Sequence, residues 1–373
     1  MAFIWRFVRG NAVYIWENSE VRRRLSWYYA VMRDERPARF LICRRIAAPV
    51  RDLKGLALEE LWRIHDELAS EFWKVLRLVE KGEVKLEELE EAEVSFLDVK
   101  IELAYRMLKS CIFCERRCGV DRTAGKTGSC RVDHRTRVSS WFHHVGEEAP
   151  LVPSGTIFYS GCNFHCVFCQ NHDISQENIE EGDVVDAVTL ARIQRILRRE
   201  GARNINHVGG DPTPNLHTIL ESLKYLDVNV PQLWNSNLYC SLEAMKLLRE
   251  VIDIWLPDFK YGSDECACRL SKVDNYFEIV SRNHRIAAES GDMIIRHLVL
   301  PNHLECCTKK VLKWIAENCS RALVNIMGQY RPEYIVARRP ELYPDVARRP
   351  SGKEMSEAFD YAQRLGLVYE PVS

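Results

Sequence analysis

Three cysteines, Cys162, Cys166 and Cys169, stand at C-x3-C-x2-C in the stretch GTIFYSGCNFHCVFC, directly after a β-branched and aromatic run. A structural zinc site takes four ligands, and disulfides take cysteines in pairs. The next cysteine is Cys240, too far along the chain to complete this loop. Three thiolates on one short loop leave one corner of a metal centre open, which is where chemistry takes place. His165 or His172 as a fourth ligand would instead close a zinc knuckle, although such knuckles pair their ligands at tighter spacings.

A second set, Cys111, Cys114, Cys118 and Cys130, reads C-x2-C-x3-C-x11-C within SCIFCERRCGVDRTAGKTGSC. Four thiols with glycines between them specify a closed tetrahedral site. Arg116, Arg117, Arg122 and Arg131 are placed to offset its negative charge. Zinc and a second iron–sulfur cluster both accept four thiolates, so the spacing leaves the metal open. Of the remaining cysteines, Cys266-x-Cys268 and Cys306-Cys307 do not satisfy metal-loop spacing alone. Cys240 is either a hydrogen donor near the site or a small buried residue.

The elements that position these loops change character along the chain. From Thr156 onward, apolar runs at 156–160, 204–208, 228–234, 252–256, 293–300 and 322–327 read as strands. Helical segments alternate with them at 185–200, 216–226, 242–251, 276–289 and 309–318, with a last helix at 353–365. Successive strand–helix units imply a parallel sheet in an α/β fold. Six units, not eight, imply a partial barrel, open on one side, with its chemistry at the C-terminal strand ends. Those ends carry Ser160-Gly161, Gly209-Gly210-Asp211, Asn235-Ser236-Asn237, Asp258-Phe259-Lys260, Arg296-His297 and Gly328-Gln329-Tyr330. His297 alternates to the face opposite Arg296 and is expected to be a packed, hydrogen-bonded histidine.

Three segments follow from this reading: a mainly helical N-terminal extension at 1–109, a small four-cysteine metal-binding segment at 110–150, and the partial barrel at 151–373. Residues 56–80 and 84–109 show helical periodicity around the breaker Lys81-Gly82-Glu83, which predicts a helical hairpin. The acidic run 87–93 reads as a solvated helix face. Residues 1–50 carry ten arginines against four acids, interleaved with Trp5, Phe7, Tyr14, Trp16, Trp27, Tyr28 and Tyr29. Such a pattern is either a nucleic-acid contact or a cap whose aromatics pack on the main domain.

A net charge of −1 over 373 residues gives no general pull toward nucleic acid or acidic membranes. No apolar run is long enough to span a bilayer, and Met1–Gly10 is too short and too basic for a secretory signal. Fourteen cysteines without such a signal imply a reducing cytoplasm with metal or redox use.

The three-cysteine loop after the first strand of a six-unit chain resembles the radical S-adenosylmethionine (radical SAM) superfamily. The resemblance covers roughly residues 97–373 and is closest to the branch related to pyruvate formate-lyase activating enzymes. SGCNFHCVFCQNHDIS, DIWLPDFKY, IIRHLVLP and VNIMGQY carry it. It implies that Cys162, Cys166 and Cys169 hold three irons of a [4Fe–4S] cluster and that S-adenosylmethionine chelates the fourth. The soft thiolates suit such a centre, and the missing ligand leaves one substitutable iron.

By the same resemblance, the Phe168 backbone lies against the adenine. Gly209, Gly210 and Asp211 stand where the family has Gly-Gly-Glu, which receives the methionine amino group. Lys260 and Arg296 resemble residues that meet the methionine carboxylate, and Asn235 or Ser236 that bind the ribose. The implied activity is reductive cleavage of S-adenosylmethionine to a 5′-deoxyadenosyl radical, with an electron donor such as ferredoxin or flavodoxin. The sequence does not identify the substrate: a protein, as in glycyl-radical activation, is one reading, and the alternatives are an enzyme modifying RNA and a non-enzymatic electron carrier. Activases with extra clusters carry them after the radical motif, whereas here the extra cysteines precede it.

Overall fold

The computed structural model describes residues 9–373, so Trp5 and Phe7 lie outside the described residues. Eight strands form one sheet: β1 (Thr136–His144), β2 (Ser154–Tyr159), β3 (Asp183–Val185), β4 (Ile205–Gly209), β5 (Gln232–Trp234), β6 (Ile254–Trp255), β7 (Asp292–Leu298) and β8 (Leu323–Met327). Their order is β3-β1-β2-β4-β5-β6-β7-β8, which leaves β3 and β8 at the edges. Strands β2 and β4 to β8 pair in parallel, while β1 runs antiparallel to both β2 and β3. The fold is therefore α/β with a mostly parallel sheet. The parallel strands overlap the six expected runs, and their apolar side chains are almost wholly buried, as helices on a parallel sheet require.

Strands β1 and β3 add to the expected architecture. In β1 the register shifts between Val138 and Ser140, and residues 139–142 are exposed. The bulge interrupts the period-two pattern by which a strand is recognised. β1 falls within the 110–150 segment, yet it pairs along most of β2.

The crossovers include α3 (Ala187–Arg199), α4 (Leu216–Tyr225), α5 (Leu242–Leu248), α6 (Asp264–Ser271), α7 (Tyr276–Ser290) and α8 (Lys309–Asn318); α9 (Gly352–Arg364) follows β8. Short polar side chains start several of them. Asp186 accepts from the Thr189 N–H at 2.7 Å, Ser241 from Ala244 at 3.1 Å and Ser263 from Cys266 at 3.3 Å. Each satisfies a helical N–H that lacks an intrahelical partner.

Two longer helices precede the sheet, α1 (Leu58–Lys81) and α2 (Phe96–Leu108). In α1, Leu61, Ile64, Leu68, Phe72, Leu76 and Val79 recur on one face and are buried. The expected helix over 84–109 begins only at Phe96. Ser95 caps it in a reciprocal box with Asp98, and the Phe96 N–H donates to the Ile46 carbonyl at 2.8 Å. The acidic run 87–93 thus precedes the helix instead of forming its face. Buried Lys100 on α2 donates to Glu250 at 2.8 Å and to the Lys246 carbonyl at 3.0 Å, which ties the two helices to the sheet domain.

Of the N-terminal aromatics, Trp27 and Tyr28 turn inward, Trp16 and Tyr29 are partly buried, and Tyr14 is exposed. Trp27 and Tyr28 are buried, with the Trp27 indole N–H donating to Asp253 and the Tyr28 N–H to Asp292, both at 2.8 Å. Asp253 and Asp292 lie at the N-terminal ends of β6 and β7, opposite the strand ends that carry the cysteine loop. Among the described residues no helix is long and apolar enough to cross a membrane.

Candidate active site

The chain leaves β2 at Tyr159 and enters the three-cysteine loop, which α6 supports from below. The N–H groups of His165 and Val167 donate to the Ser271 and Leu270 carbonyls at 3.0 and 2.9 Å. Each sulfur meets polar neighbours. The Phe164 N–H donates to Cys162 Sγ at 3.3 Å, Ser271 Oγ lies 3.0 Å from Cys166 Sγ, and Ser175 Oγ lies 3.2 Å from Cys169 Sγ. Donors aimed at sulfur are what a thiolate metal ligand needs.

Burial pushes all three thiols up, Cys166 to about 12; Asp211 and the neighbouring sulfurs add to the effect at Cys162. A bound metal reverses this by stabilising the thiolate. Neither histidine closes the centre. His165 contacts Gln176 at 2.7 Å through Nδ1 and Ser129 at 2.9 Å through Nε2, while His172 contacts Glu177 at 2.8 Å and stacks on Tyr334.

A cleft of about 380 Å³ opens over the loop. Cys162, Cys166 and Cys169 line it together with Phe168, Gly209, Gly210, Asp211, Asn235, Ser236, Lys260 and Arg296. The strand-end rule explains the convergence, since every parallel strand delivers its following residues to this one rim. Gly209 has φ +121°, and a side chain there would overlap the Tyr159 backbone; one at Gly210 would overlap the Gly161 carbonyl. Only glycine lets β4 come this close to the cysteine loop.

Asp211 is buried and acts within the chain. Its carboxylate accepts from the Thr213 N–H at 2.9 Å, the Ser236 hydroxyl at 2.9 Å and the Asn237 N–H at 3.1 Å. Burial raises its pKa, and these donors hold it back. Ser236 is committed to this network, since its hydroxyl also accepts from the Leu238 N–H at 3.1 Å. Asn235 is different: its Nδ2 is buried with no partner among the described residues. A ligand acceptor in the cleft would satisfy it.

The two cations are already paired. Lys260 forms a close ion pair with Asp258, two residues away on the segment after β6. Arg296 donates to Glu148 through Nε and Nη2, each at 2.7 Å, and through Nη2 to Glu147 as well. Burial drives Glu147 up, but the Arg296 charge and His144 outweigh it and leave the carboxyl at about 2. The remaining Arg296 nitrogen, Nη1, is 3.5 Å from Asn235 Oδ1. Glu147 and His144 line the cleft too. Sequence reasoning missed them because the 110–150 segment was read for its cysteines; adjacent acids Glu147-Glu148 before Ala-Pro were the available signal.

Phe168 packs edge-on against Tyr330 at 5.4 Å. His297 is buried on the other face, 2.8 Å from the Phe259 carbonyl and 2.9 Å from Thr308 Oγ1, and burial lowers its pKa to about 4. Cys240 is fully buried, 3.3 Å from Thr213 Oγ1.

The four-cysteine segment folds against this loop. The Cys114 and Cys240 backbones pair in an isolated antiparallel β-bridge, both thiols being free, and the Glu115 N–H donates to the Tyr239 carbonyl at 3.1 Å. Burial raises the pKa values of Cys114 and Cys130, and the charges of Cys111 and Cys118 add to the effect at each. Of the four arginines expected to offset their charge, Arg122 approaches Cys111 Sγ at 3.8 Å. Arg117 instead pairs with Glu115 and Glu243, and Arg116 donates to the Asn163 carbonyl at 3.0 Å.

Residues 156–315 match the Radical SAM superfamily. Uncharacterized protein MJ0674 of Methanocaldococcus jannaschii is 44% identical over 353 residues, which are 93% of this chain and all of that protein. Among solved structures, Streptococcus suis SuiB bound to precursor peptide SuiA is 15% identical, with a TM-score of 0.38 over 56% of this chain and 45% of that one. TYW1 with a lysine-pyruvate adduct bound is 14% identical, with a TM-score of 0.35 over 56% and 72%. The aligned region thus spans less than half of SuiB. Members of the superfamily are enzymes. The chain belongs to the family of the Methanocaldococcus protein, and the domain that carries its three-cysteine cleft is a radical SAM domain.

Proposed function

We propose that the chain is a radical SAM enzyme that cleaves S-adenosylmethionine reductively at a [4Fe–4S] cluster on Cys162, Cys166 and Cys169, giving a 5′-deoxyadenosyl radical that abstracts hydrogen from a substrate. The observation that carries this reading is the single cleft in which an open-cornered thiol set meets Asn235 Nδ2, a buried donor without a partner among the described residues.

The chain's own residues have definite tasks in it. Asp211 offers about four acceptor sites, three of them used by the chain, and the last receives the methionine ammonium. Asn235 Nδ2 donates to the ribose. Arg296, fixed by Glu147 and Glu148, presents Nη1 to the methionine carboxylate, and Lys260 adds a second positive charge. Phe168, Leu298 and Met327 supply apolar wall that excludes water. The four-cysteine set is a second metal centre, zinc or iron–sulfur, seated against the radical loop. The electron comes from outside the chain, from a donor of the ferredoxin or flavodoxin kind, in a reducing compartment.

The substrate in this reading is a protein, as in glycyl-radical activation. RNA is less favoured, because Trp27 and Tyr28, part of the segment's base-stacking pattern, are buried. The test is anaerobic reconstitution followed by reduction. The reduced cluster should give an electron paramagnetic resonance signal that shifts on adding S-adenosylmethionine, with 5′-deoxyadenosine and methionine as products. Replacing all three cysteines by Ala should abolish it. A signal that survives in that triple variant and still responds to S-adenosylmethionine overturns the proposal.

A further inference from the structure

A different group of thiols converges away from both sequence motifs. Cys266 lies in the first turn of α6, and His303, Cys306 and Cys307 lie in the turn after β7. One ligand atom from each falls within 4.8 Å of all the others. Cys266 and Cys306 Sγ are 3.8 Å apart, and His303 Nδ1 is 3.5 Å from Cys266, 3.3 Å from Cys306 and 3.8 Å from Cys307.

These distances discriminate between chemistries. A tetrahedral zinc ion, with Zn–S about 2.3 Å and Zn–N about 2.0–2.1 Å, spaces its ligand atoms about 3.6–3.8 Å apart. A disulfide would need the sulfurs at about 2.05 Å. An iron–sulfur cluster binds its ligands through separate irons and spreads them further. The second shell fits as well. His303 Nε2 is 2.8 Å from Asp345 Oδ2, and Arg269 pairs with the same carboxylate. A carboxylate on the far nitrogen fixes the ring and leaves Nδ1 as the ligand.

The backbone is built for the approach. A side chain at Gly262 would come within 2.7 and 2.8 Å of the Cys306 and Cys307 carbonyls. Glycine therefore lets the segment before α6 pass directly over the turn. The His303 carbonyl accepts from the N–H groups of Cys307 and Thr308 at 3.0 and 3.1 Å, which closes that turn on itself.

We propose that Cys266, His303, Cys306 and Cys307 form a closed, structural site for one zinc ion or a metal of its class. The ion staples the start of α6 to the turn after β7. The other end of α6 carries the Leu270 and Ser271 carbonyls that hold the cysteine loop, so the staple braces that loop without touching the cleft. The inference is independent of the reaction proposed above.

The test starts with native, anaerobically purified full-length protein. Cys266 and Cys306 are only half-buried, and Cys268 is exposed and outside the group, which makes it an internal control. Iodoacetamide should alkylate Cys268 promptly and Cys266 and Cys306 at least about tenfold more slowly, until a strong zinc chelator removes the difference. Elemental analysis of Cys266→Ser and His303→Ala should show one zinc fewer per chain than wild type, with the loss absent in Cys268→Ser. Alkylation of Cys266 and Cys306 at the Cys268 rate regardless of chelator overturns the site. So does equal zinc in wild type and both variants, or a Cys266–Cys306 disulfide in the anaerobic protein.

Discussion

Ser271 places its hydroxyl oxygen 3.0 Å from Cys166 Sγ, at the end of the helix whose carbonyls hold the cysteine loop. Tyr261 Oη lies 2.6 Å from the same oxygen, so the hydroxyl is relayed between a buried phenol and the sulfur. Hydrogen bonds to ligand sulfur help set cluster potentials. A donor stabilises the more negative, reduced form. Ser271→Ala should therefore make the cluster potential more negative at unchanged iron content, as read by a redox titration. An unchanged potential would mean that Ser271 gives no hydrogen bond to Cys166.

Asp211→Asn should weaken both the loop and the ligand. The amide nitrogen cannot accept, so one or two of the three donors that Asp211 now satisfies lose their partner. A buried donor left unpaired costs about 1–3 kcal/mol, which thermal unfolding should register. Losing the charge should also reduce S-adenosylmethionine affinity on the order of ten- to hundredfold. Full affinity in a stably folded variant would place the amino group elsewhere.

Replacing Cys111 and Cys114 by Ala should remove one metal centre while leaving the S-adenosylmethionine-responsive signal. Iron and zinc analysis decides which metal is lost. The variant should unfold more readily, since metal binding at a closed site contributes folding energy. Identical metal content in parent and variant would show that the four thiols hold nothing.

Lys100 and Glu250 are both almost fully buried, and Lys100 also lies 4.3 Å from the Phe96 ring centre. Lys100→Met leaves the carboxylate buried and unpaired, which typically costs about 3–5 kcal/mol. Denaturant unfolding should show this loss. A second substitution, Glu250→Leu, should recover much of it, because an apolar pair can replace a buried ion pair.

Asp292 gives the fold a pH dependence. Burial raises its carboxyl to about 7, well above the ordinary carboxylate range, with the Tyr28 N–H holding it back. The folded chain therefore binds this proton more tightly than the unfolded one. Stability from this group is complete below the unfolded value and is lost as pH rises through about 7. Asp253, at about 6 for the same reason of burial, acts in the same direction. Asp292→Asn should flatten the fall in melting temperature between pH 5 and 8. A parallel fall in the variant would show that another group is responsible.

Local pattern made much of this site readable. C-x3-C-x2-C, the glycine pair before Asp211 and the polar residues after each strand are each short local patterns, and the parallel sheet brings them to one rim. What stayed hidden was non-local. Arg296 meets Glu147 and Glu148 across sequence separations of 149 and 148 residues, and no spacing rule joins them. Cys266 likewise meets His303, Cys306 and Cys307 only because α6 folds beside the turn after β7. The helix expected from residue 84 failed for a different reason. Its composition favours helix, but the Ser95 cap and the Phe96–Ile46 hydrogen bond fix the start at 96.

The support of the cysteine loop by α6 also sets an order of events at the ribosome. Seven thiols, from Cys111 to Cys169, emerge before Lys260, Ser271 and Arg296 have been synthesised. The nascent chain thus exposes both cysteine motifs while lacking the helix that braces one of them and the cations that line its cleft. Parallel sheets close late, because their contacts are distant in sequence. The hydrogen bonds that hold the cysteine loop on α6 therefore cannot form until Ser271 has been added, 102 residues after Cys169.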